Sequence, residues 1–171
     1  MASLAGVDDW SKYTSAPVPG NAEHLLNAAS GVIRTYVEWS ISREIIVDAR
    51  IDAPGGTLLM LPTLLLVDVA AIAVDAVAVT DFDWSEAGMV ERAVGWPRGF
   101  RRLTVSYTHG YETVPDEVKS YTVAVASAAA ASVAGKVQES IGDWSATYAT
   151  VERVFGSMGK TILNRYRRFA A

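Results

Sequence analysis

The 171-residue sequence predicts an α+β fold, a helical bundle with an inserted antiparallel β-rich middle and a C-terminal helical arm. Three observations predict it. Apolar residues recur at three- and four-residue spacing near both ends, they alternate with polar residues through the centre, and Gly/Pro clusters separate the two regimes. With 50% apolar residues a chain of this length can bury one substantial core, so one domain is expected over residues 1–150, followed by an arm over 151–171.

The elements follow in order. Val7 to Thr14 reads as a short helix, broken by Pro17, Pro19 and Gly20. A second helix is expected over residues 21–39, with Asn21 capping it by accepting a backbone N–H bond. Leu25, Leu26, Ala29, Val32, Ile33, Tyr36 and Val37 share one face of it. A β-rich region over residues 42–111 comes next. Val47, Ala49 and Ile51 alternate with Asp48, Arg50 and Asp52, as in a strand with one wet face. Pro54-Gly55-Gly56 turns the chain, and Leu58 to Leu61 and Leu64 to Val69 are further strands separated by Pro62. Ile72 and Val74 face Val77 and Val79 across Asp75-Ala76, a tight hairpin in which Ala76 stands where glycine is favoured. Phe82 to Trp84 and Met89 to Arg92 form another strand pair. Leu103, Val105, Tyr107 and His109, alternating with Arg102, Thr104, Ser106 and Thr108, give the clearest strand.

Helical chemistry returns at Pro115, where Asp116 and Glu117 complement the N-terminal dipole of a helix over residues 115–138. Val118, Tyr121, Val125, Ala128, Ala129 and Ser132 are expected on its buried face. Trp144 to Tyr148 is a candidate short strand. Val151, Val154, Phe155, Met158, Ile162, Leu163 and Tyr166 keep a helical spacing, and Gly156 and Gly159 predict two pieces with the better helix after Gly159.

Charge and composition exclude several function classes. The net charge is −4, which argues against gripping nucleic acid through a basic surface. The four cations Lys160, Arg165, Arg167 and Arg168 lie in a stretch without an acid; removing them from 15 leaves 11 against 19 acids, so the preceding body stands at −8. The absence of cysteine excludes disulfides and thiolate metal sites. Residues 1–10 lack the pattern of a secretory signal. The apolar run from Leu58 to Val79 is interrupted by Pro62, Asp68 and Asp75, and each central Asp would cost about 2.5–3.5 kcal/mol to insert in a membrane, so no membrane association is expected.

No catalytic constellation is visible, and no cofactor or metal is expected. His24 and His109 lack metal-ligand partners at helical spacing and read as a first-turn and a strand-end residue. Asp81, Asp83, Glu86 and Glu91 lack the order of a calcium loop and read as a solvated hairpin edge. Residues 156–161 end like a phosphate loop but lack its leading glycine and strand. Two groups are left. Arg98, Arg101 and Arg102 flank a loop expected to expose Trp96; they are either a solvated strand start or a contact with a partner protein. The tail holding Lys160, Arg165, Tyr166, Arg167, Arg168 and Phe169 is either a frayed terminus or a docking arm for an acidic partner.

Four segments in this order resemble the head-to-tail connector (adaptor) proteins of long-tailed bacteriophages. Leu25 to Ser30 and Val32 to Tyr36 look like the family's first long helix. Leu103 to Tyr111 followed by Val114 to Lys119 is similar to its strand leading into a second long helix. Glu139 to Ser145 with Tyr148, and Leu163 to Arg168, resemble later segments. The β-rich middle is larger than the compact helical core of the smallest members.

The resemblance implies a non-enzymatic virion protein, made in the host cytoplasm and placed in the neck. It implies a homo-oligomeric ring of twelve subunits between the portal and a stopper or tail-completion protein, with DNA passing the lumen without specific binding. An acidic wall would repel DNA phosphates, and Lys160 to Ala171 would dock an acidic portal face. The competing readings are another neck protein, a stopper or tail terminator, and a non-catalytic interaction module.

Overall fold

The computed structural model describes residues 3–135 and 157–168. The α+β class expected from the sequence is what it has. Helices α1 (Val7–Tyr13) and α2 (Ala22–Val37) precede the strands, and α3 (Asp116–Gly135) and α4 (Ser157–Asn164) follow them. The strands are β1 (Glu44–Pro54), β2 (Leu58–Met60), β3 (Leu66–Val74), β4 (Val77–Val79), β5 (Asp83–Trp84), β6 (Met89–Glu91) and β7 (Arg98–His109). The chain forms two compact units: Met1–Glu38 with Val114–Arg167, and Trp39–Thr113 with Arg168–Ala171. The expected boundary at residue 150, the short strand over Trp144 to Tyr148, the helical positions Val151, Val154 and Phe155, and Phe169 lie outside the described residues.

In the helical unit, α2 buries Leu26, Ala29, Ile33 and Val37 at three- and four-residue spacing, the stripe its sequence encodes. Asn21 does not cap it with its side chain. Its backbone (φ −107°, ψ 23°) departs from the extended form that aims a capping oxygen at the first turn, and its carbonyl accepts from Leu25 N at 3.1 Å instead. The helix stops at Val37 because Glu38 turns left-handed (φ 67°), with its N–H donating to Arg34 O at 2.9 Å. Buried Trp10 on α1 donates from Nε1 to Ala16 O at 3.1 Å, which satisfies its one polar atom.

Helix α3 buries Val118, Thr122, Val123, Val125 and Ala126, whereas Ala128 and Ala129 are half-exposed and Tyr121 is only half-buried. The face expected from the sequence is thus rotated. Nearly every residue after Ser120 is small or apolar, so no polar stripe orients the helix and the packing partners decide. Helix α4 runs through Gly159 rather than starting after it. Gly159 is buried, and a Cβ there would overlap the Tyr121 ring, so this glycine lets α4 approach α3 closely.

The β unit has a four-stranded antiparallel sheet, order β1-β7-β3-β4, and a three-stranded one, order β2-β6-β5. Strand β7 is central because Leu103, Val105, Tyr107 and His109 alternate with polar residues and all four are buried. Leu66, Ile72, Leu59, Val90 and Trp96 complete the core. Strand β3 is continuous from Leu66 to Val74, joining segments the sequence suggested as separate.

Val47 departs from its expected inward position and is 71% exposed. Between the pairs Ile46↔Tyr107 and Ala49↔Val105 two residues oppose one, and Asp48 takes φ 53° with its N–H donating to Ser106 Oγ at 3.0 Å. This bulge shifts the register, so Ile46, Ala49 and Ile51 face the core and Val47 does not.

The β3–β4 hairpin is as the sequence predicts. Val74 pairs with Val77, and Asp75 and Ala76 are both left-handed (φ 49° and 68°), a two-residue turn of the type that favours glycine. Ala76→Gly is expected to stabilise the protein by about 1 kcal/mol, since the left-handed conformation costs a residue with a Cβ about 1–2 kcal/mol and glycine's extra chain entropy offsets part of that. A higher urea midpoint with an unchanged slope would show it.

Candidate assembly surfaces

Among the described residues there is no group of three or more His, Cys, Asp or Glu placed to hold a metal. No helix among them is long and apolar enough to cross a membrane. What the β unit offers is surface chemistry.

Trp96 corrects the sequence reading. It is 4% exposed, packed in the core with Nε1 donating to Val90 O at 3.4 Å and Arg92 over its ring at 5.6 Å. The exposed aromatic beside the loop arginines is Phe100, at 88%. Strand parity counted back from buried Leu103 puts residue 100 on the outer face, a signal present in the sequence and outweighed there by the size of the indole. The strand twists at this point: Gly99 (φ 142°) and Arg101 (φ 55°) bracket Phe100, and Arg101 N donates to Asp52 Oδ1 at 2.8 Å.

The three loop arginines divide. Arg102 donates from Nε to Asp75 Oδ1 at 3.0 Å, makes a second bond from Nη2 to Asp75 Oδ2, and reaches Arg98 O at 3.3 Å, so it serves the hairpin. The Arg102 guanidinium holds the Asp75 carboxyl below its ordinary range. Arg98, Arg101 and also Arg50 are exposed or half-exposed and pair with no acid among the described residues. Arg50, Arg101 and Arg168, with Asp52, Met60 and Phe100, line an open cavity of about 690 Å³, so one loop arginine and one tail arginine meet there beside a carboxylate.

A second, acidic groove of about 460 Å³ is lined by Leu58, Asp83, Trp84, Met89 and Glu91. Asp81 is spoken for, since Arg92 Nε donates to its two oxygens at 3.0 and 3.1 Å, and the Arg92 guanidinium lowers its pKa. Asp83 and Glu91 face each other as cross-strand partners, a like-charge pair that opposes the sheet it sits in. Leu58, Trp84 and Met89 beside them are exposed apolar side chains.

The tail residues are largely engaged within the helical unit. Leu163 is buried, Tyr166 Oη donates to Glu117 Oε1, and Arg165 lies 3.9 Å from Glu117 Oε2. Arg167 donates to Glu38 Oε1 at 3.4 Å and lies over the Tyr36 ring at 5.3 Å. Lys160 is exposed and has no acid partner among the described residues.

His109 ends β7, with ring centroids 5.3 Å from Tyr107 and 6.3 Å from Trp39. Its Nδ1 is buried without a hydrogen-bond partner, and burial lowers its pKa, against a smaller opposing pull from Glu44. The neutral form is native. As pH falls below the free imidazole value, about 6.5, the unfolded chain takes up a proton the native one resists, so stability is lost at no more than about 1.4 kcal/mol per pH unit. Comparing urea midpoints at pH 7.5 and 5.5, the His109→Phe variant should show a smaller loss than the native chain.

The profile of the head completion protein family matches residues 2–169. The chain belongs to the head completion protein family. No curated protein matches the sequence significantly. Among solved structures, this family member is similar to a chain in the neck of a native GTA particle computed with C12 symmetry, with TM-score 0.64, 13% identity, and coverage of 96% of this chain and 89% of that one. It is also similar to a chain in the neck of an empty GTA particle computed with C6 symmetry, with TM-score 0.59, 15% identity, and coverage of 98% and 91%. A third similar chain is in the virion of a native gene transfer agent particle, with TM-score 0.56, 15% identity, and coverage of 98% and 91%. The shared fold spans nearly the full length of these chains. The sequence resemblance to head-to-tail connectors is therefore borne out at the level of the family, a structural one.

Proposed function

We propose that this head completion protein forms a twelve-membered ring in the neck of a tailed particle, between the portal and a stopper or tail-completion protein. The family match over residues 2–169 carries the reading. It is supported by a fold shared with a neck protein whose structure was computed with C12 symmetry. The acidic body supports a channel wall to which DNA does not adhere, because its charge repels phosphates at close range. The role is mechanical and electrostatic, with no reaction to catalyse.

In this reading the C-terminal arm faces the portal. Lys160, which has no acid partner among the described residues, and Arg168 are its available cations, while Arg165, Tyr166 and Arg167 brace it against Glu117 and Glu38. Deleting the arm would also remove buried Leu163, so Lys160→Glu with Arg168→Glu is the cleaner variant. Purified native chain mixed with portal-bearing heads should co-sediment at twelve copies per head, and the double variant should bind at least tenfold more weakly. Heads that sediment without the native chain would overturn the reading.

A further inference from the structure

The β unit carries a cationic tip and an acidic groove. The tip sets a nearly fully exposed Phe100 beside Arg50 and Arg101, with Arg98 two residues before it on the strand; Asp52 lies there too and accepts from Arg101 N, but none of the three guanidinium groups has an acid partner among the described residues. The groove sets Leu58, Trp84 and Met89 beside Asp83 and Glu91, whose opposed carboxylates have no cation among the described residues. Each half is costly when bare. In the tip a large apolar side chain is in water, and in the groove a like-charge pair sits directly across a sheet beside exposed apolar side chains. Both halves are chemically what the other lacks: aromatic for apolar groove, arginines for carboxylates.

We propose that Phe100 of one copy of this chain inserts into the Leu58/Trp84/Met89 groove of the next copy, with Arg98 and Arg101 meeting Asp83 and Glu91 there. Phe100 and its arginines stand on β1 and β7 of the four-stranded sheet and the groove on the three-stranded one; Met60 of β2, the cross-strand partner of Met89, also lines the tip's cavity, but no described residue lines both. A contact between unlike patches repeats around a closed rotation, which is how a ring forms, whereas a patch meeting its own copy stops at a dimer. The assignment rests on the ring reading above and names the surfaces that build it.

The chain has no cysteine, so an introduced pair reports without interference. Phe100→Cys with Met89→Cys in one chain, assembled on portal-bearing heads and oxidised, should give a ladder of disulfide-linked oligomers on a non-reducing gel. Val94→Cys with Met89→Cys, using another exposed apolar position of the same unit, should not. In parallel, Arg98→Glu with Arg101→Glu should lower ring yield at least tenfold, and adding Asp83→Arg with Glu91→Arg should restore it. Rings that form normally in the Arg98/Arg101 variant, or rings of the Phe100→Cys, Met89→Cys chain that do not cross-link, would overturn this contact and leave the ring reading intact. A native chain that forms no ring on heads would overturn both.

Discussion

Replacing Trp96 with alanine is expected to destabilise the β unit by about 3–5 kcal/mol, the cost of emptying a large aromatic site from a packed core. The indole is 4% exposed, lies in one core cluster with Leu59, Val90 and Leu103, and donates to Val90 O. Truncation removes that packing and the cation–π partner of Arg92, which also holds Asp81. Denaturant unfolding followed by far-ultraviolet circular dichroism measures the loss. The result separates two roles. An interface tryptophan would weaken assembly and leave the isolated chain's stability unchanged, whereas a core tryptophan lowers stability in the isolated chain. Phe100→Ala should do the reverse, with stability nearly unchanged and assembly reduced.

Gly110→Ala is the second large effect, about 2–5 kcal/mol from two costs that act together. Gly110 has φ 89°, a region that costs a residue with a Cβ about 1–2 kcal/mol. A Cβ there would also strike the carbonyl oxygen of Ser42 and lie 3.0 Å from Arg43 N, and these are backbone atoms that cannot swing away. Overpacking of this kind costs roughly another 1–3 kcal/mol. The neighbours are anchored: Tyr111 N donates to Ile41 O at 2.8 Å, Arg43 N to Tyr111 O at 2.8 Å, and Gly110 N to Leu65 O at 2.8 Å. The substitution should therefore loosen the end of β7 together with its tie to the segment before β1. Faster amide exchange at Arg43 and Tyr111, beyond the global loss, would mark that location.

The parts of the fold that were legible in the sequence are those where polarity alternates cleanly. Strand β7 was readable because Thr104, Ser106 and Thr108 separate its core residues, and the β3–β4 hairpin because valines flank a two-residue turn. Helix α3 could not be oriented, since Val123, Val125 and Ala126 are apolar on more than one side of the cylinder and only tertiary packing chooses among them. The Asp48 bulge was hidden because its positive φ depends on a long-range bond to Ser106, 58 residues away. Gly159 reads as a helix breaker in sequence and acts as a packing notch opposite Tyr121.

The candidate surfaces were half legible. Arg98 and Arg101 were identifiable as charges at a strand start, but Arg102 was not separable from them until its ion pair with Asp75 was seen. Trp96 is buried and Phe100 exposed, a difference that aromatic content near arginines does not encode, because it says nothing about which ring points inward. The groove lay hidden in an apolar run: Leu58, Leu59 and Met60 are all apolar, so alternation could not show that Leu59 is buried and its two neighbours are exposed.

Electron microscopy of portal rings mixed with the purified chain decides whether this protein forms a coaxial ring beneath the portal. A second ring of twelve subunits is expected on the portal's axis, in which density for Phe100 of each copy meets the Trp84 groove of its neighbour. Portal rings that remain bare, or copies bound singly without contact to one another, would contradict it.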